Sequence, residues 1–356
     1  MPRILIVDDS PTAREMLAAI MQTDPDIEVI GFAINGREAV AKTKDLQPDL
    51  VTMDVNMPEL DGFQATKEIM IECPTPIIIV SSSPRIKEVS TSMQALQAGA
   101  LTVLSKPSGV LQPDFHHQAA EIISNVKAMA DVLVIRHRRR MAAAPSVVRE
   151  AVAASPIEPP VAPPATALRC VAVVASTGGP PALAQLLRVL PADFPVPILL
   201  VQHIVSAFGE GFVRWLDSVV PLRVTMAVDG ELLQPGCVYV APHDHHLGVT
   251  KGCRTRLDDG PEIGGFRPAG DFLFASAAEM FGEKTVGIIL TGMGQDGVQG
   301  IRAIRNAGGR TIAQDEQSCV IYGMPRAAVE QGLIDDVLPI DQIPGQLMRM
   351  LAACSS

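Results

Sequence analysis

Arg3-Ile4-Leu5-Ile6-Val7-Asp8-Asp9 is the stretch on which the fold turns. An apolar, strand-like run ends on two acids. The pattern returns at Leu50-Val51-Thr52-Met53-Asp54, at Ile77-Ile78-Ile79-Val80-Ser81 and at Leu101-Thr102-Val103-Leu104-Ser105-Lys106. In an open parallel α/β sheet, ligands bind outside the carboxyl ends of the strands. Three acids, a hydroxyl and a lysine at such ends describe a site for a divalent metal and a phosphoryl group.

Between these runs lie helical patterns near 11–23, 36–46, 63–72 and 87–98, with another from about Pro113. A further strand is expected at 27–33. Five βα units of this kind specify a doubly wound parallel sheet over residues 1–127. At 356 residues the chain exceeds one ordinary core. From about residue 130 the composition changes. The basic run Arg136-His137-Arg138-Arg139-Arg140 leads into Ala, Pro and Glu up to Ala167, which cannot bury a core. Residues 128–167 are therefore expected to be a helix end and a linker.

Strand patterning resumes at Cys170–Ala175 and recurs at 197–201, 238–241, 285–290 and 309–313. Helical patterns at 181–190, 207–219, 270–282 and 297–306 separate several of these runs. Residues 168–353 thus read as a second α/β domain. The formal charge of -10 repels phosphate backbones and argues against nucleic acid as a partner. The six cysteines form no C-x-x-C pair, so neither a zinc site nor a disulfide framework is suggested. No signal peptide is recognisable, and no apolar run approaches the roughly 18 residues that span a bilayer. The expectation is a cytoplasmic protein that does not insert in a membrane and is a monomer.

In the first domain Asp54 is the candidate phosphoryl acceptor, since a carboxylate accepts a phosphoryl group when the developing charge is neutralised. Mg²⁺ prefers oxygen ligands and keeps several waters. Asp9 and Asp54 would offer it side-chain oxygens, Asp8 would act through a water, and Asn56 would offer its backbone carbonyl. Lys106 and Ser81 would hold phosphoryl oxygens, and a cis bond at Lys106-Pro107 would aim the lysine.

In the second domain Ser176-Thr177-Gly178-Gly179-Pro180 follows a strand and opens a helix. Glycines permit a tight turn, proline suits a helix start, and the free N–H groups there favour developing negative charge. A serine hydroxyl needs a base. His203 ends the run Ile198–Gln202 and is the candidate. Asp296, in Thr291-Gly292-Met293-Gly294-Gln295-Asp296-Gly297, would orient the imidazole. Thr177 and Met293 are candidates to stand near the oxyanion, to which Met293 or a neighbour would offer a backbone N–H. The segment Pro242-His243-Asp244-His245-His246 would alternate its side chains if extended, so a surface turn is favoured over a metal cluster.

Residues 1–127 resemble a two-component receiver domain, a flavodoxin-like (βα)5 fold. In that family the residue matching Asp54 accepts phosphate from a histidine kinase, with Mg²⁺ as cofactor. Val103 departs from the aromatic residue common three positions before the lysine. The second half resembles the chemotaxis protein-glutamate methylesterases, in which a receiver is fused to a hydrolase. The match is carried by Ser176–Pro180, Gln202-His203, Thr291–Gly297, Ala313-Gln314-Asp315-Glu316 and Tyr322-Gly323-Met324-Pro325. Ile204-Val205-Ser206-Ala207 departs from the family, where a proline follows Gln-His closely. The resemblance implies a phosphorylation-activated hydrolase that needs no cofactor for ester hydrolysis. It would demethylate glutamate methyl esters, and deamidate glutamines, on methyl-accepting chemoreceptors, with Ser176, His203 and Asp296 as its triad. The rival classes are a transcriptional response regulator, opposed by the charge and by the lack of a helix-turn-helix pattern, and a non-catalytic signalling adaptor, opposed by the intact triad.

Overall fold

The computed structural model describes residues 1–81, 99–107, 109, 112, 115–130, 132, 169–204 and 206–352. The first sheet contains β1 (Arg3–Val7), β2 (Glu28–Ala33), β3 (Leu50–Met53), β4 (Ile77–Ser81) and β5 (Thr102–Ser105), in the order β2-β1-β3-β4-β5 and parallel throughout. The chain moves from β1 out to β2 and returns to β3 on the other side. The crevice above β1 and β3 is therefore the switch point. Helices Pro11–Met21, Gly36–Leu46 and Gly62–Glu72 start where Ser10, Asn35 and Asp61 accept backbone N–H bonds. Such caps satisfy donors that a helix leaves unpaired. Phe115–Met129 is the last helix of this half. The helix expected at 87–98 and nearly all of the expected 128–167 linker lie outside the described residues.

The second sheet contains β6 (Cys170–Ala175), β7 (Ile198–Gln202), β8 (Arg223–Met226), β9 (Cys237–Val240), β12 (Thr285–Ile289), β13 (Arg310–Gln314) and β14 (Asp336–Leu338). Its order is β14-β13-β12-β6-β7-β9-β8, again all parallel. A separate antiparallel hairpin joins β10 (His246–Thr250) and β11 (Arg254–Asp258). β6 is buried along its whole length. Its odd-numbered residues Val171, Val173 and Ala175 share a core with the helices Gly179–Arg188, Ser206–Val219 and Ile343–Ala352, while Ala172 and Val174 face Gly270–Phe281 and Val298–Asn306. Burial on both faces is why β6 shows a continuous apolar run and no alternation.

The five strands and four helices expected in this half are present, with shifted ends. β8, β14 and the hairpin were not anticipated. β8 and β14 are short edge strands, and β11 alternates arginines with Thr255 and Leu257, so none produces a long apolar run. The helices Met324–Glu330 and Ile343–Ala352 also add to the expected set.

The helices Gly270–Phe281 and Val298–Asn306 approach closely because Gly300 has no side chain. A Cβ there would lie 2.5 Å from Phe274 Cβ and 2.9 Å from the carbonyl of Asp271. Gly300 N–H also donates to Asp271 Oδ1 at 2.8 Å. Gly300→Ala is expected to cost about 1–3 kcal/mol through overpacking. A urea midpoint for the second domain equal to that of the parent protein would contradict this.

Candidate functional site

The first site gathers at the β1/β3 switch point. Asp8, Asp9 and Asp54 place carboxylate oxygens within 4.8 Å of one another. Lys106 Nζ lies 2.6 Å from Asp8 Oδ2 and 3.1 Å from Asp54 Oδ1. Ser81 is buried at the end of β4, and its carbonyl accepts the Lys106 N–H at 2.8 Å. That bond aims the lysine from an ordinary strand end. The expected cis bond at Lys106-Pro107 is not found; among the described residues the cis bond is Arg267-Pro268. Asn56 stands in the β3 exit loop. Arg14, which the sequence did not single out, donates Nη1 to the carbonyls of Asp8 at 2.7 Å and Asp9 at 3.1 Å and fixes the acidic turn.

Burial and the neighbouring Asp8 charge push the Asp54 carboxyl up to about 6, against the opposing pull of Lys106. Lys106 is held above the ordinary lysine range, because the two carboxylates outweigh its own burial. The pocket therefore has an excess of negative charge that one lysine does not neutralise. A hard divalent cation with oxygen ligands fits that donor set.

The second site lies at the switch point of the larger sheet, where β6 stands between β7 and β12. Ser176 and His203 directly follow β6 and β7, and Asp296 lies in the loop that follows β12. Ser176 follows β6, and its N–H donates to the Thr291 carbonyl at 3.0 Å. Gln202 Nε2 donates to the carbonyls of Ser176 and His203, both at 2.8 Å, and ties the ends of β6 and β7 together. His203 Nε2 lies 2.8 Å from Asp296 Oδ2. That oxygen also accepts the Gly270 N–H at 2.6 Å, and Oδ1 accepts from Asp271 at 3.1 Å and Gly297 at 2.9 Å. Burial alone would push the Asp296 carboxyl up. The His203 bond and the backbone donors outweigh it and hold the group below the usual range. An ionised Asp296 requires Nε2 to carry the imidazole proton, so Nδ1 presents the lone pair. His203 Nδ1 is buried and has no hydrogen-bond partner.

Gly178, at φ 75°, turns the chain from β6 into the helix Gly179–Arg188. Gly292 allows a close approach: a Cβ there would sit 2.6 Å from Ser176 Cβ. Thr291 Oγ1 donates to the Thr177 carbonyl at 2.9 Å and accepts the Ile321 N–H at 2.9 Å, locking the turn after β6 to the loop before helix Met324–Glu330. Met293 follows Gly292 in the same tight segment.

Two neighbours were not foreseen. The Phe266 ring stacks on His203 with centroids 4.2 Å apart and planes at 14°. His246, one of the histidines expected in a surface turn, is instead buried at the start of β10. His243 and Asp244 do form the exposed turn. An aromatic residue inside a Gly-rich loop carries no periodic signal, which is why Phe266 was passed over.

The first half also touches this site. The Leu101 carbonyl accepts the Gly178 N–H at 3.3 Å, Ser124 Oγ lies 3.7 Å from Met293 Sδ, and Val320 and Ile321 pack against the first sheet's core.

Residues 171–347 match the CheB methylesterase family, and residues 4–112 match the response regulator receiver domain. A protein-glutamate methylesterase/protein-glutamine glutaminase of Anaeromyxobacter dehalogenans is 50% identical over 99% of this chain and 99% of its own. One of the same name from Myxococcus xanthus is 46% identical, over 97% of this chain and 96% of its own. The crystal structure of the Thermotoga maritima CheB methylesterase catalytic domain matches with a TM-score of 0.51 and 41% identity, covering 52% of this chain and all of that one.

The raised Asp54 carboxyl has a thermodynamic sign. A group raised above its unfolded value supports the fold while protonated, and that support is lost as pH rises through the folded value. Between about pH 4 and 6, ionisation of Asp54 therefore costs metal-free protein stability. Asp54→Asn is expected to stabilise metal-free protein by about 1–3 kcal/mol at pH 8 and by almost nothing at pH 4. Thermal unfolding in chelator at both pH values reads this, and an equal effect at both would contradict it.

Proposed function

The chain belongs to the protein-glutamate methylesterase/protein-glutamine glutaminase family, and on that premise we propose how its residues carry and control the reaction. The protein is a hydrolase of chemotaxis adaptation with a receiver domain. Ser176 is the nucleophile, His203 the base and Asp296 the orienting acid. The His203–Asp296 pair, with Gln202 bridging the carbonyls of His203 and of Ser176 at the end of the central strand, is the observation that carries this assignment.

Asp296 uses Nε2, so Nδ1 is the ring nitrogen left for the Ser176 proton. Oγ of Ser176 attacks the carbonyl of a glutamyl γ-methyl ester and passes its proton to Nδ1. N–H groups around Thr177 and Met293 face the oxyanion. Collapse breaks the bond to the methoxy oxygen, which takes the proton from Nδ1 and leaves as methanol. Water then gives a proton to Nδ1 as it attacks the acyl-serine, and that proton passes to Oγ as the acyl bond breaks, which frees Ser176 and leaves the glutamate carboxyl group to ionise. A glutamine amide follows the same path with ammonia as leaving group. No cofactor is needed for these steps.

Control comes from Asp54 as phosphoryl acceptor. Asp8, Asp9, Asp54 and the Asn56 carbonyl would hold Mg²⁺, which neutralises charge on the transferring phosphoryl group. Lys106 and Ser81 then take its oxygens. The donor is a histidine kinase of the chemotaxis type, and the substrates are methyl-accepting receptors. Residues 1–127 act as the receiver, 128–167 as tether and 168–353 as catalytic domain, in a cytoplasmic monomer that binds no nucleic acid. The contacts of Leu101 and Ser124 beside Ser176 support a receiver that restrains the hydrolase until phosphorylated. A coupling of about 1–3 kcal/mol would change activity roughly 5–150-fold.

Methanol release from methylated receptor membranes tests the chemistry. Wild type with a small phosphodonor is expected to release methanol and Ser176→Ala to lose essentially all of it; equal rates would refute the assignment. Asp54→Ala should keep the basal rate and lose stimulation by the phosphodonor. Retained stimulation would place the acceptor elsewhere.

A further inference from the structure

His246 is buried, 1% exposed, at the first position of β10. Both ring nitrogens are engaged. Nδ1 accepts the Ala269 N–H at 3.2 Å, so Nε2 carries the proton and donates to the Pro261 carbonyl at 3.0 Å. The ring also stacks on Phe272, 4.9 Å between centroids. One imidazole thus bonds to both ends of the segment 261–269. Two parts of that segment bear on the catalytic pair. Phe266, near its middle, covers the face of His203. Ala269, at its end, precedes Gly270 and Asp271, whose N–H groups hold the Asp296 carboxylate. The His203 imidazole and its acid are therefore both set by a loop whose ends meet on His246.

We propose that His246 is a positioning residue for the hydrolase, holding segment 261–269 so that Phe266 packs on His203 and the Gly270 and Asp271 N–H groups meet Asp296. The role rests on His203 and Asp296 being the catalytic pair. Only the neutral Nε2–H form supplies the acceptor and the donor together; an imidazolium would turn a second N–H toward that of Ala269. Glutamine offers one acceptor and one donor at comparable reach, whereas leucine fills space and offers neither.

The test uses the full chain with a small phosphodonor and methylated receptor membranes. His246→Leu is expected to lower kcat by about 10-fold or more with KM within about 3-fold, since a misplacement of roughly 1 Å imposed from outside the chemistry costs up to about 100-fold. His246→Gln should recover most of kcat. A signature independent of turnover is the ring-current shift that Phe266 imposes on the His203 ring protons, read in protein with ¹³C-labelled histidine and assigned with His203→Gln. That shift should collapse in His246→Leu and Phe266→Leu and persist in His246→Gln. Should His246→Leu fail to fold, His246→Gln and Phe266→Leu decide. An undiminished kcat in Phe266→Leu, or no recovery in a folded His246→Gln, overturns the proposal. Absence of methanol release from wild type would instead strike the catalytic reading, and the His203 shift would still report the loop.

Discussion

The catalytic half is organised around one carboxylate. Asp296 accepts the N–H groups of Gly270, Asp271 and Gly297 and the Nε2–H of His203. Four donors compensate for burial that would otherwise favour the neutral acid. They also bring four pieces of chain to one point: the end of β7, the start of helix Gly270–Phe281, the loop after β12, and the start of helix Val298–Asn306. The tight seating of Gly300 against Phe274 brings those two helix starts together. Packing in the core and charge in the site are therefore one constraint, since the helices can supply their N–H groups only where the glycine lets them meet.

The receiver half balances its charges differently. There three acids face one lysine, and the imbalance is carried by Asp54, the residue that would be modified. Asp296 is satisfied by donors, whereas Asp54 is left short of them. A carboxylate with unmet demand for positive charge suits a group that must bind a cation and then gain a phosphoryl group. A fully satisfied one suits an acid that must stay ionised while a neighbouring imidazole gains and loses a proton.

The placement of both candidate sites was legible in the sequence because their residues follow apolar strands, directly or through one short loop. Asp8, Asp54, Ser81, Lys106, Ser176, His203 and Asp296 were all located by that one signal, the carboxyl end of a buried strand. Residues that act from elsewhere were missed. Phe266 sits in the irregular loop 259–269, where nothing periodic marks it. His246 was hidden among three histidines in five positions, and only the pairing of β10 with β11 turns it inward. Arg14 lies on a helix surface, and its hold on the acidic turn depends on how that helix docks against β1. The edge strands β8 and β14 escaped because exposed, short strands need no apolar run.

The bond from Gly178 N–H to the Leu101 carbonyl has a consequence for how the two halves share the active site. A backbone N–H two residues from Ser176 that is already engaged by one carbonyl is not available to another. On the proposed reading, receiver and substrate would compete for the same ground, and the resting rate would measure the fraction of time the halves stand apart. By mass action, a dense receptor array would itself favour the parted state. Phosphorylation in that setting would set the receptor density at which adaptation begins, with the hydrolytic machinery left as it was.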